Sequence, residues 1–326
     1  MTAFEQQKAR RPSNCLISLV VPCYCESENV ANFIRQVNTD LEGEELEIIF
    51  VNDGSSDDTL ERMIALSLED NRIAIVDLSR NFGKEAALSA GIDFATGDVL
   101  IPLDVDLQDP PLVILEMIAK WREGYDVVNA VRCDRRSDTM AKRTTSHFFY
   151  RTFNKLADVE LPPDVGDFRL LDRRVVEALK KMPERNRFMK GLFNWVGYST
   201  TSVNYERPAR IAGKTSFNYW KLWNFALDGV VGFSTLPLRI WTYVGSVVAF
   251  FALGYGLVII VQTLLFGRSV PGYSSIMTAV LFFGGVHLIS LGIIGEYIGR
   301  VFVEVKDRPV YVVKDVYGKK LESDND

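Results

Sequence analysis

Histidine is nearly missing from this chain. Only His147 and His287 occur in 326 residues, which excludes a zinc centre built on imidazoles. Cysteine is sparse as well. Cys23 and Cys25 stand too close together for a mutual disulfide or a zinc knuckle, and with Cys15 and Cys133 they are expected to be free thiols in a reducing compartment. Positive charge is not in excess. With 37 Lys and Arg against 42 Asp and Glu the net charge is −5, so nothing points to a nucleic-acid partner. The first residues carry Lys8, Arg10 and Arg11 and lack the apolar core of a secretion signal. The first two hundred or so residues are therefore expected to stay on the side of the membrane where they are made. There is no internal repeat and no low-complexity segment.

Charge itself is missing from two stretches, residues 240–267 and 269–295. Each exceeds the roughly 20 apolar residues needed to cross a bilayer. A buried helical hairpin of a soluble protein is the alternative, but two such runs joined only by Arg268-Ser269-Val270-Pro271-Gly272 argue for membrane spans. Lys214, Lys221 and Arg239 precede the first run, and Arg300, Lys306, Arg308 and Lys314 follow the second. The positive-inside rule then predicts an integral membrane protein with two spans, the domain before them and both termini being cytoplasmic. Gly245, Gly254, Gly256, Gly284 and Gly285 permit close helix contact and so a homo-oligomer through the spans.

What precedes the spans alternates. Short apolar runs at 17–21, 47–51, 73–76, 99–103 and 127–131 read as strands. Segments with helical spacing lie between them, at 27–41, from Asp58 or Thr59 as cap, at 84–96 closed by Gly97, at 112–123 and at 141–156. This order predicts a mostly parallel sheet with helices on both faces. Residues 217–233 are different. Asn218, Lys221, Asn224 and Asp228 form one polar stripe on an otherwise aromatic and aliphatic helix. Such a helix suits the membrane interface, with packing on the soluble domain as the alternative.

Against this frame the acidic residues acquire meaning. Asp104 and Asp106 follow an apolar strand and precede Asp109-Pro110-Pro111, where the prolines stop the strand and open a helix. The carboxyl ends of strands in an open α/β sheet are where ligands bind. Alternating carboxylates there suit a divalent cation carrying phosphate oxygens. Asp53 ends another strand, and Asp167 lies between a glycine and a β-prone run. Arg207, Arg210 and Lys214 form a basic loop just before the aromatic helix, and arginine forks match phosphate oxygens.

Three segments carry a resemblance: Pro22-Cys23-Tyr24-Cys25-Glu26, Val51-Asn52-Asp53-Gly54-Ser55-Ser56-Asp57, and Asp104-Val105-Asp106-Leu107-Gln108-Asp109-Pro110-Pro111. Together they resemble the inverting family 2 glycosyltransferases of GT-A fold. Ala226-Leu227-Asp228-Gly229 and Ile294-Gly295-Glu296-Tyr297-Ile298-Gly299-Arg300, running on to Lys306-Asp307-Arg308-Pro309, narrow it to the polyprenyl-phosphate (bactoprenol) glucosyltransferases of the GtrB type. The resemblance covers residues 16 to about 314.

It implies a GT-A, Rossmann-like cytoplasmic domain with a mostly parallel sheet, interfacial amphipathic helices and two transmembrane helices. The divisions expected are 1–210 for the glycosyltransferase domain, 211–235 for the interfacial region, 236–300 for the two-helix anchor and 301–326 for a cytoplasmic tail. It implies Pro22, Tyr24, Glu26 and Asp53 around the nucleotide, with Lys84 among the donor-binding residues. Asp104 would bridge ribose and metal, and Asp106 would ligate Mg2+ or Mn2+. Asp167 would be catalytic, with Arg207, Arg210 and Lys214 on the acceptor phosphate or donor diphosphate; Arg135 and Arg136 are further candidates. Two positions depart from the family pattern: Cys25 stands where asparagine is usual, and Lys214-Thr215-Ser216 shifts a lysine.

The implied reaction moves a hexose, glucose first, from a UDP-sugar to undecaprenyl or another polyprenyl phosphate, with inversion. Mannose from GDP-mannose or an aminoarabinose derivative are the alternatives. A processive polysaccharide synthase is disfavoured, since it would need more spans and no Gln-x-x-Arg-Trp occurs. A non-catalytic membrane scaffold is disfavoured by the joint presence of Asp53, Asp104, Asp106 and Asp167. A lipid phosphate, with a second pKa near 6, is mostly anionic at neutral pH, so Asp167 is expected to orient it or remove a residual proton rather than act as an indispensable strong base.

Overall fold

The computed structural model describes residues 11–133, 165–182, 184–185, 187–206, 232, 234–266 and 272–318. β1 (Leu16–Cys23) leads to α1 (Ser27–Asp40), β2 (Glu45–Asn52) to α2 (Thr59–Glu69), β3 (Ile73–Leu78) to α3 (Lys84–Phe94), and β4 (Val99–Pro102) to α4 (Val113–Glu123). Then come β5 (Val127–Arg132), β6 (Val165–Asp172), α5 (Arg173–Lys180), α6 (Met189–Trp195) and β7 (Thr200–Tyr205). Two long helices, α7 (Leu236–Phe266) and α8 (Tyr273–Val305), precede a last strand, β8 (Val313–Tyr317).

The strands form one sheet in the order β7-β5-β6-β4-β1-β2-β3-β8. β1 pairs in parallel with β2 and β4, β2 with β3, and β5 with β7. β6 runs antiparallel to β4 and β5, and β8 antiparallel to β3. Each βα crossover returns the chain to start the next strand at the same edge, which is why the first four strands are parallel.

The period-two alternation of each strand builds two cores. Ile17, Leu19 and Val21 of β1 face one side with Ile48 and Phe50, where Val30, Phe33 and Val37 of α1 and Met117 and Trp121 of α4 cover them. Val20, Ile49, Val51 and Val76 face the other side, under Ala87, Leu88 and Ala90 of α3 and Val175 and Leu179 of α5. Both faces are dry, so the strands read as continuous apolar runs.

Two local details differ from the sequence reading. α3 stops at Phe94, and Gly97 is not its cap. A Cβ on Gly97 would lie 2.6 Å from the Leu16 carbonyl oxygen and from Ser18 Oγ, so glycine is there for close approach to β1. At the start of α2 neither Asp58 nor Thr59 caps with its side chain. Asp57 does the work, its Oδ1 accepting from the Thr59 amide at 3.2 Å and the Thr59 hydroxyl at 2.5 Å.

α7 and α8 contain 31 and 33 residues, about 46 and 50 Å at ~1.5 Å per residue. Both are long and apolar enough to cross a membrane, and neither candidate span is buried in the protein. Phe250, Leu264 and Leu288 are each more than 70% exposed, so these helices are not the core of a soluble domain. α8 continues five residues beyond the expected anchor boundary at 300, and the tail after it is not separate: it supplies β8. The amphipathic segment 217–233 lies outside the described residues apart from Gly232, as do the expected helix at 141–156 and Arg135, Arg136, Arg207, Arg210 and Lys214.

Candidate active site

The registers Cys23–Asn52, Asn52–Asp77 and Val20–Pro102 bring the ends of β1 to β4 to one edge. Three loops leave that edge in contact with one another. Asp53 follows β2, and its amide donates to the Cys23 carbonyl at 2.9 Å. Its carboxylate accepts from the amides of Phe82 at 2.7 Å and Gly83 at 2.9 Å, pinning the turn that opens α3. Burial pushes the Asp53 carboxyl up, against those two amides and Arg80. Gly54, at φ +65°, allows the contact, since a Cβ there would sit 2.5 Å from the Arg80 backbone.

Pro22 is the penultimate residue of β1, and Tyr24 just beyond it is half exposed. Cys25 adopts φ +54°, and its amide donates to Ser55 Oγ at 3.0 Å. The Glu26 amide donates to Thr59 Oγ1 at 2.9 Å, and its carboxylate accepts from Asn29 Nδ2 at 2.6 Å. The candidate nucleotide residues therefore sit on two cross-linked loops, one after β1 and one after β2.

The acidic motif occupies the end of β4. The Leu103 amide still donates to Val20, after which the chain turns at Leu107 with φ +56°. Asp106 Oδ1 accepts from the Gln108 amide at 3.2 Å. Asp109 differs from its neighbours. It is buried and accepts from the Tyr205 hydroxyl at 2.6 Å, tying the motif to β7.

Asp167 comes from β6, far away in sequence. Because β6 runs antiparallel to β4 with Val99 opposite Asp172 and Leu100 opposite Leu171, continuing that register sets Asp167 level with Asp104. Lys84, the first residue of α3, lies between them. Its ammonium is 2.7 Å from one Asp104 carboxylate oxygen and 3.1 Å from Asp167 Oδ2. Burial would lower the lysine pKa, but the two carboxylates outweigh it and the net direction is upward. Burial would raise the Asp167 pKa, but Lys84, Lys190 and Arg169 hold it down at about 2. Asp167 Oδ1 is buried and accepts no hydrogen bond among the described residues.

Glu85 and Lys190 complete the charge cluster without any sequence signal. Glu85 in the first turn of α3 reads as an ordinary complement to the helix dipole. In the structure it accepts from the Met189 amide at 3.2 Å. Burial and the nearby Asp167 raise it to about 7, against Met189, Lys84 and Lys190.

The donor set fits a divalent cation that shares its shell with phosphate. Asp104 and Asp106 present hard carboxylate oxygens on one short turn. Among the described residues no three His, Cys, Asp or Glu side chains form a closed ligand cage. A cation completed by a nucleotide diphosphate needs only one or two protein carboxylates.

A parallel α/β sheet with this acidic edge and a terminal pair of apolar helices defines a class. Residues 18–180 match the family model described as glycosyl transferase family 2, and residues 236–301 match the GtrB C-terminal hairpin. The chain belongs to glycosyl transferase family 2, with a GT-A-like fold. It is 52% identical over 304 residues to an uncharacterised glycosyltransferase of Synechocystis, covering 93% of this chain and 96% of that one. It is 51% identical over 302 residues to a prophage bactoprenol glucosyl transferase homolog of Escherichia coli, covering 92% and 99%. It is 50% identical over 300 residues to the bactoprenol glucosyl transferase of Shigella phage SfII, covering 91% and 97%. The protein is a glycosyltransferase.

Proposed function

We propose that the protein transfers glucose from UDP-glucose to undecaprenyl or another polyprenyl phosphate, inverting the anomeric centre, at the cytoplasmic face of a membrane that α7 and α8 span. The names of the relatives support the sugar and the acceptor. The observation that carries the site is the Lys84 ammonium held between Asp104 and Asp167. It joins the donor-side acidic motif to the carboxylate expected on the acceptor side.

In this reading the loops after β1 and β2 hold the uridine, with Pro22, Tyr24, Glu26 and Asp53 at the base and ribose. Asp104 and Asp106 hold Mg2+ or Mn2+, which when bound stabilises the departing diphosphate. Lys84 offsets one of the two negative charges of Asp104 and Asp167, which lowers the repulsion met by a diphosphate and an anionic acceptor. A carboxylate held at about 2 is a weak base. That suits an acceptor already mostly ionised: Asp167 orients the lipid phosphate or takes its residual proton while a phosphate oxygen forms a bond to the sugar C1 and UDP leaves from the opposite face. Arg207, Arg210 and Lys214 supply positive charge to the acceptor phosphate or the donor diphosphate.

Full-length protein incubated with polyprenyl phosphate and a panel of radiolabelled nucleotide sugars tests this. Labelled glucosyl lipid from UDP-glucose is the expected product. Transfer from GDP-mannose or an aminoarabinose donor instead would replace the sugar, and no transfer from any donor would overturn the reading. Asp167→Asn assayed from pH 6 to 9 tests the role of that carboxylate. Its deficit should shrink as the acceptor loses its last proton, and a variant dead at every pH would show the charge itself to be indispensable.

A further inference from the structure

The last strand reaches the donor loops by two routes. β8 starts beside the end of β3, where the Ser79 amide donates to the Val312 carbonyl at 2.9 Å and Val313 pairs with Leu78. Ser79 opens the turn whose Phe82 and Gly83 amides hold Asp53. That is the first route.

The second runs through side chains. The β3–β8 register shifts between Asp77 and Leu78: Asp77 pairs with Asp315 and Leu78 with Val313, so Lys314 is the extra residue of a bulge. Bulges re-aim side chains. Lys314 Nζ lies 3.4 Å from Asp77 Oδ2, and Asp77 is almost completely buried. Asp77 Oδ1 accepts from Asn52 Nδ2 at 2.7 Å, Asn52 Oδ1 accepts from the Ser55 amide at 3.2 Å, and Ser55 Oγ accepts from the Cys25 amide at 3.0 Å. This relay ends on the backbone between Tyr24 and Glu26.

We infer that β8 is a positioning element of the donor site, and that Lys314 acts through Asp77 and Asn52 to set the loops that receive the nucleotide. This rests on the donor-site assignment above and adds to it a residue that the sequence marks only as a flanking charge. Burial of the β3 edge alone would need the ladder but not the lysine. Among the described residues, Lys314 is the part of β8 that forms an ion pair with the buried carboxylate.

Lys314→Met removes the ammonium and keeps the strand, and the side chain is more than half exposed, so no core is opened. Lys314→Arg restores the charge. In full-length protein, Lys314→Met should raise the Kd for UDP and the KM for UDP-glucose by about two- to fivefold, the scale of a partly exposed ion pair. kcat and the acceptor KM should stay unchanged, and Lys314→Arg should recover the wild-type values. Amide hydrogen exchange at Ser55, Phe82 and Gly83 should quicken in Lys314→Met. Unchanged UDP affinity and unchanged exchange would overturn the inference, as would an equal rise in donor and acceptor constants. Wild-type protein that binds no uridine nucleotide would overturn the donor assignment and this inference with it. Wild-type protein that binds UDP no better than Lys314→Met overturns the inference alone.

Discussion

Carboxylates gather at both edges of the sheet under opposite conditions. At the edge where the parallel strands begin, Asp126 accepts from Arg11 at 2.9 Å, from Ser199 Oγ at 2.8 Å and from Arg174. Asp172 accepts from Trp121 Nε1 at 2.7 Å and from the Arg174 amide at 3.0 Å. Glu47 accepts from Ser18 Oγ at 2.5 Å and from the amide and hydroxyl of Thr96 at 2.9 and 2.7 Å. At the edge where they end, Asp104 and Asp167 share one ammonium, and one oxygen of Asp167 is buried without a donor among the described residues. The residue types are the same. The difference lies at Asp167, whose Oδ1 is a buried acceptor that the described residues do not meet, and such an acceptor costs about 1–3 kcal/mol until something else meets it.

The largest test of that contrast is at the edge that carries the acidic motif. Asp106→Ala, or a chelator on the wild type, should cut turnover by at least about 10²–10³, on the scale of losing one preorganised electrostatic contact. The fold should remain intact by thermal melting. Full activity in chelator would remove the metal from the site.

The opposite edge should respond the other way. Asp126→Ala removes the closer carboxylate of buried Arg11 and leaves it the longer pair to Asp172 at 3.6 Å, and breaking a buried pair costs up to about 3–5 kcal/mol. Denaturant unfolding should show that loss while kcat per folded molecule is kept. A rate defect without a stability defect would mean that the two edges are not divided in this way.

Arg210→Ala should weaken use of the acceptor by about 1.5–3 kcal/mol, the range for a hydrogen bond to a charged group. Raising the pH should not restore it, in contrast to Asp167→Asn, and a comparison of both rates across pH 6 to 9 decides.

The smallest effect concerns Glu85. Its folded pKa of about 7 lies above the ordinary 4.5, so the native state keeps a proton that the unfolded chain releases. Stability should therefore fall as pH rises from about 4.5 through 7. Asp167, lowered from 3.8 to about 2, has the opposite sign: its contribution is present above 3.8 and is lost on acidification towards 2. Glu85→Gln should flatten the decline in Tm between pH 5 and 8 by about 2–4 °C. An unchanged slope would show that Glu85 is not held protonated.

Much of this was legible in the sequence. The apolar runs of β1 to β5 and the turns after them placed Asp53, Asp104 and Asp106 at one edge, because alternation of strand and helix leaves few other topologies. That Asp167 lies level with Asp104 across Lys84 was not legible. It depends on β6 entering antiparallel, and a strand's direction leaves no mark on its hydrophobic pattern. Glu85 was missed for a related reason, since its burial comes from α6 packing over α3 and not from its own neighbours. Lys314 read as a topological charge because nothing near it marks a bulge.

β8 also sets an order of events. β3 lies inside the sheet only once β8 has paired with it, and β8 is made after both long helices. During synthesis the domain therefore waits with an open β3 edge while α7 and α8 emerge and, on the reading above, enter the bilayer. An unpaired edge is a template for association with other chains. The closing strand thus makes completion of the sheet wait until the hairpin has been synthesised, and a chain in which β8 does not reach β3 keeps the exposed edge that favours aggregation.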